Sequence, residues 1–323
     1  MFKRVTIVFF LLFPLAQALV VQAQNWPLKP VRIIIHQPPG GPSDSVPRGM
    51  QVHLAPKLGQ AFVIENRSGA GGVVGLEACA RAAPDGYTFC VSNNGGYSIA
   101  PLARAKLPFD TFRDFVPVVN FGTLESILIV HPTVPVNSAK ELFELARAKP
   151  DTLTFSTIGH GSGGHLHMEW FKAKGMPMLH VPYKGGDAAM NAVVTGEVNV
   201  SLNGAGRVAP MVRAGKLKAL AVDGDRPSEF IPNVPSLVEL GYDVNLRNWI
   251  GLFAPAATPR EIVQRVNTEL NGLLADTQFV KQFLHSQGMV AAGGSPEAFA
   301  GFLKKDRQMY EGLVRDAGVK FQE

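Results

Sequence analysis

Two glycine-rich turns, each following an apolar run and opening a predicted helix, carry the residue types best suited to holding an anion. The first reads VRIIIHQPPGGPSD from Val31 to Asp44, the second LTFSTIGHGSGGHLH from Leu153 to His167. Such a turn leaves the first backbone N–H groups of the helix unpaired and aims them, with the positive end of the helix dipole, at one point. A carboxylate or phosphate fits that point. The turns lie far apart in the chain, which predicts two lobes holding a small acid between them: a clamp, not a catalyst.

Catalytic and cofactor readings of the same residues are weaker. The second turn matches GxGxxG at Gly159, Gly161 and Gly164, but a dinucleotide fold wants an acidic residue ending the next strand, and HVPYKG supplies Tyr183 and Lys184 there. His160, His165 and His167 do not have zincin spacing and no cysteine or acidic cluster joins them, so no metal is expected. His165 reads instead as a helix-start hydrogen-bonding residue. A serine hydrolase using Ser162, or Ser43, with a histidine of the second turn is the alternative from another class; the GxSxG elbow is missing, because His160 stands two before Ser162. An exported scaffold that keeps the fold without binding a ligand is a third. No cofactor is called for.

The elements that must position these turns alternate between strand and helix, which argues for α/β lobes with mixed, mostly parallel sheets flanked by helices. Strands are expected at Val31–Ile35, Phe62–Glu65, within Pro84–Asn93, at Ile127–Pro132, Leu179–Gly185, Glu197–Gly204, Leu217–Gly224 and Asn248–Ala256. Asp114–Pro117 is read as a lead-in, and three helical segments are expected to finish the chain. Ser138–Pro150 is a clear helix, with Ser138 as cap, Glu141 completing a capping box, and Leu142, Leu145 and Ala146 on one face. No flexible linker or repeat occurs, so the lobes are expected to be joined by crossing strands.

At the start, Lys3 and Arg4 precede an apolar run from Val5 to Leu15, and Val21-Gln22-Ala23 closes the segment. This pattern predicts a cleavable signal over residues 1–23 and export; the run is short for a membrane anchor and Pro14 ends it. Without Lys3 and Arg4 the formal charge falls from +5 to +3. That surplus forms no basic run with interleaved aromatics, so nucleic acid is not an expected partner. Cys79 falls in a predicted helix and Cys90 in the following strand. A bridge there would contribute about 3 kcal/mol; two small buried hydrophobes are the plainer reading, and spacing leaves both open.

The motifs KPVRIIIHQPPGGPSD, IENRSGAGG (Ile64–Gly72), APDGYTF (Ala83–Phe89), LPFD (Leu107–Asp110), HVPYKG (His180–Gly185), AGKLKALAV (Ala214–Val222) and GLFAPAATP (Gly251–Pro259) together resemble the Bug-type receptors of tripartite tricarboxylate transporters. The resemblance spans the chain after the signal segment. It implies a two-lobed periplasmic binding protein, a Venus-flytrap of type II-like form, with a small carboxylate in the cleft and membrane transporter components, or a sensor protein, as partners. The first lobe is then 24–124 with 248–323, and the second 125–247. It also implies ligand loops at Pro39, Gly40, Gly41, Ser43 and Asp44, and at Ser156, Thr157, Gly161, Ser162, Gly163, Gly164 and His165. Asp44 also reads as a helix cap, since a carboxylate facing an anionic ligand is repulsive. Where the family has an aromatic and a proline, this chain has Gln37 and His36, which adds polar groups to the expected cleft wall. Asn203 replaces a common acidic residue and Arg207 a small one, which favours a ligand with a second negative group; a solvated helix start is the plain alternative for Arg207. Asn93, Asn94, Tyr97 and Tyr183 are further candidates for the wall, and Trp249 for cleft or core.

Overall fold

The computed structural model describes residues 26–316 except 105, 160, 161, 243, 245 and 247. The expected signal segment, His160 and Gly161 lie outside the described residues. The strands are β1 (Val31–Ile35), β2 (Phe62–Asn66), β3 (Thr88–Asn93), β4 (Phe115–Leu124), β5 (Ser126–Val130), β6 (Thr154–Thr157), β7 (Leu179–Pro182), β8 (Val200–Gly204), β9 (Lys218–Asp223), β10 (Asn248–Pro255) and β11 (Met289–Gly293). The principal helices are α1 (Pro42–Leu58), α2 (Val73–Ala80), α3 (Ala139–Ala148), α4 (Gly163–Ala173), α5 (Gly186–Val194), α6 (Ala205–Arg213), α7 (Arg260–Leu274) and α8 (Pro296–Asp316).

Two mixed sheets organise them into a two-lobed α/β fold. The first has the order β11-β4-β10-β3-β1-β2 and the second β7-β6-β8-β5-β9. β1 is apolar apart from the half-buried Arg32, because its residues face a core on both sides, Ile33 and Ile35 on one and Ile34 on the other, as in a central parallel strand. It pairs in parallel with β2 and β3, while β10, β4 and β11 run antiparallel to their neighbours. In the second sheet β6 is parallel to β7 and β8, and β5 antiparallel to β8 and β9. The lobes are joined by crossing strands: β4 leaves the first sheet and, after Glu125 alone, the chain continues as β5 in the second.

Local chemistry explains the helices that matter. α1 begins with Pro42, whose missing N–H costs nothing at a helix start, and ends at Gly59 in the left-handed region at φ 74°. At α3 the Ser138 hydroxyl accepts from the Glu141 amide at 3.1 Å and the Glu141 carboxylate accepts from the Asn137 amide at 2.7 Å, the capping arrangement expected.

Three features differ from expectation. β4 is a ten-residue strand, not a lead-in; Val118, Val119 and Phe121 are all buried, so the segment lacks the alternation that marks a half-buried strand. β11 interrupts the helical tail, and its small residues Ala291, Ala292 and Gly293 carry little strand propensity of their own. Cys79 and Cys90 are disulfide-bonded with Cα atoms 6.1 Å apart, because α2 folds back onto β3 and brings the two residues face to face.

Candidate functional site

Both glycine-rich turns leave the C-terminal ends of parallel strands, the edge at which open α/β sheets bind ligands. After β1 the chain turns through Gln37, the exposed Pro39 and Gly40, which is left-handed at φ 99°, into α1. Pro42 has no N–H, and the Asp44 and Ser45 amides both turn back to the Gly41 carbonyl at 2.9 Å. Among the described residues the amides of Gly41 and Ser43 have no acceptor, which leaves them for an outside one. The helix cap is Gly41, without a side-chain bond, and Asp44 stands in the first turn instead. Its carboxylate is only 6% exposed and accepts from the Gly40 amide (3.1 Å), Arg48 Nε (3.0 Å) and Asn66 Nδ2 (2.9 Å). Burial opposes ionisation, but those bonds and the Arg48 charge outweigh it and hold the carboxyl below the usual carboxylate range. Asp44 thus braces the loop from behind. The Gln37 carbonyl accepts from Asn66 Nδ2 at 3.1 Å, which ties the loop to β2.

The second turn is braced in a comparable way. Ser162 caps α4: its Oγ accepts from the His165 amide at 3.3 Å and donates to the Gly159 carbonyl at 2.7 Å. Thr157 Oγ1 accepts from the Gly159 amide at 3.1 Å and bonds His180 Nε2 at 2.6 Å, and Ser156 Oγ donates to the Ala189 carbonyl at 2.8 Å. Ser156 and Thr157 are buried by these contacts, so their side chains shape the loop from inside the lobe. Gly163 faces open space, and a Cβ at Gly164 would rest on Thr157. The His165 ring stacks on His180 with centroids 4.8 Å apart, and its Nε2 lies 3.8 Å from Glu169.

His167 belongs elsewhere: its Nδ1 contacts the Gly163 carbonyl at 2.8 Å and its Nε2 lies 3.0 Å from Asp223, deep in the lobe. Burial pulls this imidazole down, but the Asp223 charge wins and raises it above the ordinary histidine value. Among the described residues no group of three or more His, Cys, Asp or Glu is arranged to hold a metal ion. The hydroxyl hydrogen that a Ser162 nucleophile would pass to a base is directed at the Gly159 carbonyl.

Several wall candidates are core. His36 is fully buried, with its ring against Gly72 and Gly96 and its Cα and Cβ against Gly75, so it adds nothing polar to the cleft wall. Tyr97 stacks on Phe253 at 4.8 Å, and Trp249 packs among Tyr97, Phe299 and Phe302. Asn94 Nδ2 donates to the Tyr310 hydroxyl at 2.8 Å in the interior. Asn93, at the end of β3, uses its Oδ1 to accept from the Gly96 amide at 3.1 Å. In the second lobe Tyr183 donates to Glu197 at 2.8 Å, Asn203 Nδ2 donates to Ser201 Oγ at 2.9 Å, and Arg207 Nε lies 3.0 Å from Asp187. The first-lobe candidates thus gather at one sheet edge and the second-lobe candidates at the other, and no described hydrogen bond joins the two loops. Asn66, Arg48, His180 and Asp187 were not singled out from sequence; each is a polar residue next to a loop in space and remote from it in the chain, and no local pattern flags it.

This architecture, two α/β lobes each with a glycine-rich turn leaving the C-terminal end of a parallel strand, is that of a solute-binding receptor. A profile of the family described as tripartite tricarboxylate transporter family receptor matches residues 46–319, and the chain belongs to that family. Protein BugT of Bordetella pertussis is 32% identical over 94% of this chain and 93% of its own. Among solved structures, Rpa4515 of R. palustris, determined with adipate, has a TM-score of 0.81 at 29% identity and covers 91% of this chain and 99% of its own. MatC of Rhodopseudomonas palustris, determined with bound malate, has a TM-score of 0.76 at 27% identity and covers 90% and 100%.

Proposed function

We propose that this receptor is exported to the periplasm and captures a small carboxylate, with a di- or aromatic carboxylate favoured, for a tripartite tricarboxylate-type transporter, without chemical turnover. The observation that carries the reading is the pair of helix starts whose amides, at Gly41 and Ser43 in one lobe and Gly163 and Gly164 in the other, have no acceptor among the described residues while side chains brace each turn from behind. Each start offers directed N–H groups and a positive dipole end, which recognise a carboxylate without needing a cation. The solved relatives that hold adipate and malate support this ligand class. The Cys79–Cys90 bridge supports an oxidising compartment, and among the described residues no helix is long and apolar enough to cross a membrane.

In this reading residues 24–124 and 248–323 form one jaw, with the end of α8 packed on the other, and 125–247 form that other jaw; Gln37, Pro39, Gly40, Gly41, Ser43 and Asn93 face Ser162, Gly163, Gly164, His165, Tyr183, Asn203 and Arg207 across the cleft. A ligand that touches both jaws stabilises the closed form, which presents a surface to the transporter or a sensor. A thermal-shift screen of the protein against mono-, di- and tricarboxylates, aliphatic and aromatic, with amino acids and NAD as controls, tests it. Ligand at about a hundred times its dissociation constant adds about 2.7 kcal/mol of stability, so acids that bind should raise the melting temperature clearly. No shift with any acid would overturn the reading.

A further inference from the structure

Arg207 is the third residue of α6, and its position is set by residues from another element. Its Nε lies 3.0 Å from Oδ1 of Asp187, the second residue of α5. The guanidinium lies over the bare backbone of Gly186: a Cβ at Gly186 would stand 2.7 Å from Nη1 and 3.7 Å from Asn203 Oδ1. Among the described residues neither Nη group has a hydrogen-bond partner, so the end-on fork of the guanidinium is unused while its side is held. A side chain of this length gives up considerable freedom to stay in one place, and the Asp187 carboxylate, itself 77% exposed, together with the glycine seat limits that freedom before any ligand arrives.

The start of α6, which carries Arg207, stands where the lobes meet. Gly206, immediately before Arg207, is so close to the first lobe that a Cβ there would be 2.8 Å from the backbone of Gln287 and Gly288. Asn203, four residues earlier, follows the β8 segment whose Ser201 pairs with Ser156 of β6, at the strand end that leads into the second glycine-rich turn.

We infer that Gly186 and Asp187 hold Arg207 as the residue that selects for a second anionic group on the ligand. This rests on the carboxylate-receptor reading. The ligand's first carboxylate occupies the helix-start amides, and its second meets the two Nη groups in a planar, bidentate contact that a single point charge would not give. Asp187 and Gly186 act through Arg207 and are positioning residues.

The test is calorimetric affinity for two matched pairs, adipate with hexanoate and succinate with butyrate. Arg207→Ala should weaken whichever diacid the wild type binds by about ten- to a hundredfold, the loss expected for a charged hydrogen-bonded contact, and change the monoacid by about threefold at most. Gly186→Ala keeps the arginine and favours the helix, yet its methyl group displaces the guanidinium, so the diacid-to-monoacid ratio should fall by about tenfold. Melting temperatures close to wild type would show that both variants fold, and a merely structural role would not move the ratio. Equal losses for both acids, or an unchanged ratio in Gly186→Ala, would overturn the inference while leaving the receptor reading intact. Failure of the wild type to bind any of the four acids would overturn both.

Discussion

His36 and His167 are both buried imidazoles, and their surroundings push them in opposite directions. Among the described residues neither nitrogen of His36 has a hydrogen-bond partner, and burial lowers its pKa to about 4. In the unfolded chain the group titrates near about 6.5. Between those values the unfolded state takes up a proton that the folded state refuses, so stability falls as pH drops through the window, by roughly 3 kcal/mol below it. His167, raised by Asp223, has the other sign: its contribution is full below the ordinary histidine value and is lost as pH rises through the folded one. Replacing His36 by leucine should flatten the acid limb of urea-unfolding stability between about pH 7 and 4; an unchanged slope would place the acid sensitivity elsewhere. The sequence marked His36 as unusual beside the first loop. It did not show that Gly72, Gly75 and Gly96, from two other segments, enclose the residue.

The two ligand turns were legible as elements because everything that makes them lies within a few residues: an apolar strand, a glycine run and a capped helix. Gly163 is the sharpest test of that scale. It faces open space, so a larger side chain would fold without collision yet fill the place where a ligand must approach the backbone. Gly163→Leu should lower carboxylate affinity by more than about tenfold, the effect of losing one charged hydrogen bond or more, with a melting temperature near wild type. Unchanged affinity would remove this loop from the site. β4 and β11 were less legible, since one is buried without alternation and the other is built from small residues; their identity as strands comes from neighbours far along the chain.

At the scale of the whole molecule, α8 spans the two lobes. Phe299 and Leu303 pack in the aromatic cluster of the first, while Tyr310 and Leu313 pack in the core of the second. Between them the buried Asp306 accepts from Trp249 Nε1 at 2.8 Å and from the Ser98 hydroxyl. Asp306→Ala would leave two buried donors facing a void and should cost about 3 kcal/mol in urea unfolding. A loss below about 1 kcal/mol would mean that water satisfies both donors and that the helix is held by its apolar contacts alone. Where α6 meets the Gln287–Gly288 backbone, Gly206 permits the lobes to touch, and the β4–β5 crossing lies beside it, with the Glu125 carbonyl accepting from the Ala205 amide at 2.8 Å and the Glu125 amide donating to the Gly288 carbonyl at 3.0 Å.

The sequence by itself determined the local chemistry: the helix starts at Pro42 and Ser162, the capping box at Ser138, the alternation of strands and helices, and the motif order that placed the chain among the receptors of tripartite tricarboxylate transporters. Only the tertiary structure decided where the candidate side chains lie and what they pair with. Asp44 turned back on Gly40, Tyr97 and Trp249 sank into the core, Cys79 met Cys90, and Arg207 came to rest on Gly186. Backbone preference and capping are set by neighbours in sequence, within one helical turn. The pairing of a buried polar group, or the seat of a long cation, depends on which distant elements pack beside it, and that is fixed by the closing of two cores at once.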